Sequence, residues 1–215
     1  MKNFHYPASL LRILLGGLLA LPAIAEENSK PVMITTELKN FSMAHNGETV
    51  TVTHNQDRSN RIVELDQPTW HGKIQTMRPF ARHQETTIGA LEIIGFMQRL
   101  EAGDDGSLII DSRTRDWARR GILAASINIA FPELKDEKRA LEIIEEWFGV
   151  LNTSLSLDFS NAQTLVLLCN RIWCDQLPTT ISTTLRRIGY PAAKIQYFRG
   201  GMQNWQSLGL TVVSL

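Results

Sequence analysis

Both cysteines of this 215-residue chain, Cys169 and Cys174, fall within residues 168–176, LCNRIWCDQ. Three kinds of chemistry suit two cysteines at this spacing. They could close a disulfide, supply two ligands to a metal, or provide one nucleophilic sulfur. A zinc site needs two further ligands, and no Cys or His pair lies nearby in the sequence, which disfavours a metal. A disulfide and a nucleophile both remain open.

The elements on either side of the pair indicate where Cys169 lies. It ends an apolar run without alternation, TLVLLC, which predicts a central strand covered on both faces. A helical pattern begins near Asp175, with Pro178 in its first turn. In parallel sheets ligands bind beyond the carboxyl ends of the strands, where a curled loop and a helix N-terminus present N–H groups. Such groups lower the pKa of a thiol, so Cys169 is the candidate nucleophile.

Phosphatase chemistry is disfavoured at this loop. A phosphatase loop clamps the phosphoryl oxygens with an arginine six positions after its cysteine. The residue at that position here is Asp175, whose carboxylate would repel a phosphate.

The rest of the chain from Thr86 onward alternates between strand and helix patterns. The predicted strands are SLIID, SINIAF, QTLVLLC and KIQYF. Short helices are predicted in TRDWARRG and after Gly200-Gly201. Longer helices are predicted from apolar faces at Ala90, Ile93, Ile94, Met97 and Leu100; at Ala140, Ile143, Ile144, Trp147 and Phe148 after an Asp136 cap; and at Ile181, Leu185 and Ile188. This order predicts an α/β fold with a parallel sheet flanked by helices on both faces.

The residues before this domain divide into two segments. Residues 1–25 carry a basic start, an apolar run and Ala23-Ile24-Ala25, which predict a secretory signal peptide cleaved after Ala25 and no membrane span afterwards. Residues 26–84 are predicted to form a β-rich extension and loop. Its hairpin turns at Asn46-Gly47, and RSNRIVEL supplies another short strand. The domain itself occupies residues 85–215.

Composition and export limit the function further. The chain is 43% hydrophobic and 20% charged with a formal net charge of +0, which is typical of a globular domain and offers no basic surface for nucleic acid. We expect a periplasmic or secreted protein, and two nearby thiols tend to oxidise there. The loop that carries Trp70, His71 and His83 is expected to be a surface segment without a metal.

Four separated segments together resemble the rhodanese family over roughly residues 86–215. LIIDSRTRDWARRG is similar to the strand, D-x-R and helix element of that family, and ILAASINIAF is similar to its HIPGAxNIP motif. LVLLCNRIWCDQ stands where the family carries its active-site cysteine loop. IGYPAAKIQYFRGGMQNWQSLGLTVV resembles the closing signature with its double glycine. The C-N-x-x-W-C-x-Q form with FRGGMQNW also resembles a subgroup of exported single-domain members.

The resemblance implies sulfur transfer without a cofactor. Cys169 would take the outer sulfur of a small donor such as thiosulfate as a persulfide and pass it to a thiophilic acceptor. Asp111 and Arg113 would be structural supports, and Arg171 would also attract an anionic donor. The backbone amides that would cradle the persulfide are those of Asn170, Arg171, Ile172, Trp173 and Cys174.

The sequence departs from the family pattern at several positions. Arg199 precedes the double glycine where an aspartate is usual, and Ile172 stands where the loop often has glycine. Two alternative functions therefore stay open. One is a thiol–disulfide redox protein that uses Cys169 and Cys174, although four residues separate them. The other is a non-catalytic binding module whose protein partner the sequence does not name.

Overall fold

A computed structural model describes residues 30–215, except 65, 66, 68, 70, 73, 75, 81–84, 154 and 175 and the side chains of 176–178. The predicted signal peptide, Trp70, His83 and Asp175 lie outside the described residues. Within the described part, the elements in chain order are β1 (Asn40–His45), β2 (Glu48–Thr53), β3 (Thr86–Ile88), α1 (Ala90–Glu101), β4 (Ser107–Asp111), α2 (Arg115–Ala118), β5 (Ser126–Asn128), α3 (Glu137–Trp147), β6 (Leu151–Asn152), β7 (Leu157–Asp158), β8 (Thr164–Leu168), α4 (Gln176–Arg187), β9 (Ile195–Phe198) and α5 (Gly201–Ser207).

Five parallel strands form the central sheet in the order β3-β9-β8-β4-β5. The most apolar strand, β8, is in the middle, and its four last residues are buried. Since a central strand is covered on both faces, it needs no polar side, which is why its sequence does not alternate. The predicted α/β fold is confirmed.

Alternation along the strands sends neighbouring side chains into two separate cores. Ile109 and Val166 belong to one core with residues of α1 and α5. Ile110 and Leu165 belong to the other core with residues of α3 and α4. The helices therefore cover both faces of the sheet, and the Asp136 side chain accepts a hydrogen bond from the Arg139 N–H at the start of α3, as predicted.

The N-terminal hairpin packs on the first of these cores. Strands β1 and β2 pair antiparallel through a turn in which Asn46 and Gly47 both have positive φ, 49° and 80°. Met43 and Val52 are fully buried in the core that also contains α1 and α5. Residues 31–215 accordingly form one compact unit.

Three local expectations differ from the structure. No strand occurs in the described residues of RSNRIVEL, because none of them pairs with a neighbouring strand. The backbone turns back instead, with the Asn60 N–H donating to the Asp57 carbonyl oxygen at 3.1 Å, and Val63 is 53% exposed. Trp147 is 45% exposed, since α3 ends there and the chain turns Phe148 and Val150 into the core instead. Strand β3 and the short β6–β7 hairpin were not predicted. Among the described helices, none has the length and apolar character needed to cross a membrane.

Candidate functional site

The carboxyl ends of three neighbouring strands meet in register at one edge of the sheet. Asp111 at the end of β4 pairs with Leu168 of β8, which pairs with Phe198 of β9. The residues that follow each strand therefore start from the same edge. Cys169 is the residue after β8, and Arg199 is the residue after β9. This is the edge at which parallel sheets bind ligands.

Cys169 and Cys174 are joined by a disulfide. Cys169 is only 1% exposed, whereas Cys174 is partly exposed. The five-residue step between them is closed by a turn in which the Cys174 N–H donates to the Arg171 carbonyl oxygen at 2.9 Å. In this oxidised form the Cys174 N–H is thus used in a hydrogen bond within the loop. The predicted amide cradle stays a prediction for the reduced loop.

The other residues of the cysteine loop differ in their exposure. The Arg171 guanidinium lies over the Trp173 ring at 5.6 Å from its centre, and both side chains are half-buried. Such stacking holds the charge of Arg171 close to the loop. Ile172, between them, is 41% exposed.

Arg113 is a buried support that reaches the cysteine loop. Its guanidinium contacts both carboxylate oxygens of Asp111, at 2.9 Å from Nε to Oδ1 and 2.6 Å from Nη2 to Oδ2. It also donates to the Gly121 carbonyl oxygen at 2.6 Å and to Asn170 Oδ1 at 3.2 Å. The structure therefore brings Asp111, Arg113 and Asn170 into one hydrogen-bonded set directly beside Cys169. Bidentate pairing fixes the guanidinium plane and so fixes the Asn170 side chain.

The start of α5 holds the loop from the side of β9. The Met202 N–H donates to the Cys169 carbonyl oxygen at 3.0 Å, and the Gln203 N–H donates to the Asn170 carbonyl oxygen at 2.8 Å. Gly201 makes this approach possible, since it has a φ of +58° and a Cβ there would lie 2.5 Å from the Cys169 carbonyl oxygen. The second glycine of the pair is thus a packing requirement of the cysteine loop.

Two cavities flank the loop. A cavity of about 820 Å³ lies on the side of Asn170 and Arg113, and Trp117 and Arg120 also line it. A second cavity of about 560 Å³ lies on the side of Ile172 and includes Arg199. The sequence prediction missed Trp117, Arg120 and Arg199 as lining residues. The position of Arg199 directly after a predicted strand was the one signal that could have placed it at this edge.

No group of three or more His, Cys, Asp or Glu side chains in the described ranges is arranged to hold a metal ion. His71 lies exposed in the loop that follows the hairpin.

A family model, that of the Rhodanese-like domain, matches residues 96–208 of this chain. A comparison with curated proteins found no match.

Solved structures with similar folds include three small proteins. The human single-domain sulfurtransferase TSTD1 is 18% identical, with a TM-score of 0.38 over 56% of this chain and 95% of that one. The single-domain sulfurtransferase RDL2 of Saccharomyces cerevisiae is 17% identical, with a TM-score of 0.41 over 58% and 91%. A rhodanese-related protein of Thermoplasma volcanium is 17% identical, with a TM-score of 0.37 over 60% and 97%.

Proposed function

This chain belongs to the rhodanese-like domain family, and we propose on that basis that it is a sulfurtransferase in which Cys169 carries the sulfur. The observation that supports the proposal is the position of Cys169. It follows the central strand β8 at the carboxyl edge of the sheet, and its loop lies within the matched residues. A sulfur at this place faces the ends of two neighbouring strands, where ligands bind in parallel sheets.

The proposed reaction needs a reduced Cys169. Two electrons and two protons from a dithiol first convert the Cys169–Cys174 disulfide into two thiols. The Cys169 thiolate then attacks the outer sulfur of a donor such as thiosulfate, the donor sulfur–sulfur bond breaks, and sulfite leaves with the bonding electron pair. The thiolate of a thiophilic acceptor finally attacks the outer sulfur of the persulfide and releases Cys169 as a thiolate.

The unequal burial of the two sulfurs favours one direction for the reduction. Cys174 is partly exposed and Cys169 is buried, so an incoming thiolate reaches Cys174 first. Attack on Cys174 Sγ forms a mixed disulfide there and leaves Cys169 as the thiolate. The reducing step would thereby free the residue that the transfer needs.

The surrounding residues have separate proposed roles. Reduction frees the loop from its covalent closure, and the amides of Asn170, Arg171, Ile172, Trp173 and Cys174 would then hydrogen-bond the persulfide anion. Arg171, stacked on Trp173, would attract an anionic donor to the loop. Arg113 would act as a positioning residue through Asn170, because its guanidinium is already paired with Asp111.

The test is intact-mass spectrometry after exposure to thiosulfate. The protein is reduced, freed of reductant without air, and incubated with thiosulfate. We expect one added sulfur on the reduced wild type and none on the oxidised wild type. Cys174→Ser should gain the sulfur without prior reduction, because it cannot form the disulfide, and Cys169→Ser should gain none.

Alkylation provides the control for this experiment. If iodoacetamide labels Cys169 in the reduced protein, the thiol is present and accessible. A labelled Cys169 that still never gains sulfur from thiosulfate or from a polysulfide donor would refute the proposal.

The disulfide itself favours a second candidate, a thiol–disulfide redox protein that uses the same pair. Here a partner dithiol would attack Cys174, and the two electrons would pass to the pair while the partner becomes a disulfide. In the reverse direction, the Cys174 thiolate of the reduced pair attacks the disulfide of an oxidised partner, and Cys169 then resolves the mixed disulfide. Cys169→Ser lacks this resolving thiol, so it should trap an oxidised partner on Cys174 as a mixed disulfide. Sulfur transfer by Cys174→Ser at the wild-type rate, with no trapped partner in Cys169→Ser, would exclude the redox function in favour of sulfur transfer. Full function of Cys169→Ser in cells would instead favour a binding module.

We also propose that the protein is exported to the periplasm or beyond. The basic start, the apolar run and Ala23-Ile24-Ala25 support this localisation, and an oxidising compartment suits the disulfide. N-terminal sequencing of the protein from a periplasmic fraction should begin at Glu26. A chain that keeps its first residues in the cytoplasmic fraction would contradict export.

A further inference from the structure

The cavity of about 560 Å³ beside the cysteine loop has the chemistry of an anion site. We call it the Arg199 cavity, and its lining includes Arg78, Thr87, Ile172, Arg199, Gln203 and Asn204. Two guanidinium groups line it, and among the described lining residues there is no carboxylate. The whole chain has as many acidic as basic residues, 22 of each, so this local excess of positive charge is not a reflection of composition.

Two residues that line this cavity each carry one buried polar atom without a hydrogen-bond partner. The two atoms are Nε of Arg199 and Oγ1 of Thr87. Buried polar groups in folded proteins are nearly always paired, so an unpaired donor on a residue that lines a cavity indicates a missing ligand or solvent molecule. Both atoms can donate a hydrogen bond, and a guanidinium N–H forms its strongest hydrogen bonds with acceptors that carry negative charge.

One side chain comes from strand β3, and the other comes from the first residue after the neighbouring strand β9. Strand β3 pairs with β9, with Thr87 opposite Tyr197 and Ile88 opposite Phe198. Arg199 directly follows that register, two residues after Tyr197, so both side chains start near the carboxyl edge of the sheet. A donor on a strand, or directly next to one, is held more precisely than a donor on a long loop.

We propose that the Arg199 cavity binds a small oxoanion of the sulfate or phosphate type. Arg199 Nε and Thr87 Oγ1 donate hydrogen bonds to its oxygens, and the exposed Arg78 adds a second positive charge. Apolar side chains, Ile88 and Phe198, form part of the wall and keep the local dielectric low, which strengthens the attraction. Ile172 belongs to the wall as well, so a bound oxoanion lies directly beside the cysteine loop.

The proposal does not depend on sulfur transfer. Binding is measured on the disulfide form of the full chain, in which Cys169 has no free thiol. A failure of sulfur transfer would leave the oxoanion site intact, and absence of oxoanion binding would leave Cys169 chemistry intact.

Isothermal titration with sodium sulfate, and separately with sodium phosphate, in dilute chloride buffer tests the site. We expect saturable binding of one anion per chain that weakens as chloride is raised. Arg199→Gln should weaken it by about tenfold or more, because a charge-assisted donor and a charge are both lost. Arg199→Lys should recover part of the loss, and Thr87→Val, which keeps the side-chain shape, should weaken binding by about threefold.

The matched control is Arg187→Gln. Arg187 is an exposed arginine at the end of α4 and lines neither cavity. It should bind sulfate like the wild type. Equal affinities for Arg199→Gln and Arg187→Gln, or no saturable heat with the wild type at millimolar anion, would overturn the proposal and leave water as the occupant. If Arg199→Gln does not fold, as judged by circular dichroism, unchanged binding by Thr87→Val would overturn it.

Discussion

Arg113 is the residue through which the strand end of β4 acts on the cysteine loop. It is buried, and it is joined to Asp111, to the Gly121 carbonyl oxygen and to Asn170 Oδ1. Asp111 is fully buried as well. A buried ion pair contributes little net stability compared with an apolar pair, but removal of one geometry-matched partner leaves the other charge poorly solvated. The pair therefore positions Asn170 more than it stabilises the fold.

Arg113→Lys should destabilise the protein although it keeps the charge. The lysine ammonium cannot contact both Asp111 oxygens, Gly121 and Asn170 together, so we expect a loss of about 2–3 kcal/mol in the free energy of unfolding. Urea unfolding followed by tryptophan fluorescence measures it. Arg115→Lys is the matched control, because Arg115 is exposed, and it should change the value by less than about 0.5 kcal/mol. Equal effects of the two substitutions would contradict the role of Arg113.

At the scale of elements, the junction of β9 and α5 is what closes the site. Gly201 approaches the backbone of Cys169 and Arg171, and the first N–H groups of α5 donate to the loop carbonyls. The loop is therefore held by backbone contacts that do not depend on the identity of its side chains. A glycine is needed at position 201 because the backbone there is left-handed and because a Cβ would clash with the cysteine loop.

Gly201→Ala should loosen the cysteine loop. The left-handed backbone costs about 1–2 kcal/mol with a Cβ, and the clash with the Cys169 carbonyl oxygen adds to it. In the reduced protein, iodoacetamide should label Cys169 faster than in the wild type. Gly103→Ala is the control, since Gly103 also has positive φ, +90°, but a Cβ added there would meet nothing within 4 Å. Gly103→Ala should lower the free energy of unfolding only by the cost of the left-handed backbone, and it should leave the labelling rate of Cys169 unchanged. Faster labelling in both variants would contradict the role of the β9–α5 junction in holding the cysteine loop.

Tyr190 lies just after α4 and contacts the start of β8, and its ionisation makes the stability of the fold depend on pH. Its hydroxyl donates to the Gln163 carbonyl oxygen at 2.6 Å, and burial raises the pKa of Tyr190 above its ordinary value. Because the folded protein favours the neutral form of Tyr190, this side chain makes its full contribution to the free energy of unfolding below about pH 10. The contribution declines at higher pH, where the tyrosine of the unfolded chain ionises. The free energy of unfolding of the wild type should therefore fall above pH 10, and that of Tyr190→Phe should fall less steeply. Parallel slopes for the two proteins would contradict this assignment.

At the scale of the whole molecule, the N-terminal hairpin is part of the main core. Met43 and Val52 share one buried cluster with α1 and with Trp205 of α5. Further bonds fix the hairpin at its edges, including that from the Ala44 N–H to the Glu101 carboxylate at 2.9 Å. Because the hairpin and the sheet share one hydrophobic core, their stabilities are coupled.

Met43→Ala should shift the unfolding of the whole described unit and not of the hairpin alone. We expect a loss of about 2–5 kcal/mol, as for other buried methionine truncations, with far-ultraviolet circular dichroism and tryptophan fluorescence changing in one transition. Thr51→Ala, on an exposed position of β2, should have little effect. Two separate transitions would indicate that the extension folds independently of the sheet.

Local pattern was sufficient for most of the architecture. The apolar run before Cys169, the Asn46-Gly47 turn and the spacing of apolar residues in α1 each report a backbone preference or a buried face, and such preferences act within a few residues. The missed strand β3 has only three residues, Thr86–Ile88, and is a strand because β9 pairs with it. The strand predicted in RSNRIVEL fails for the converse reason, since no neighbour pairs with its described residues.

The sequence by itself determined that a cysteine would follow the central strand and that the chain would fold as a parallel sheet covered on both faces. Only the tertiary structure decided that Cys174 would reach Cys169, that Arg113 would hold Asn170, and that Arg199 would line a cavity beside the same loop. The physical reason is distance along the chain. Strand and helix patterns reflect local periodicity, whereas these contacts depend on sheet order and register, which bring residues 111, 169 and 199 to one edge.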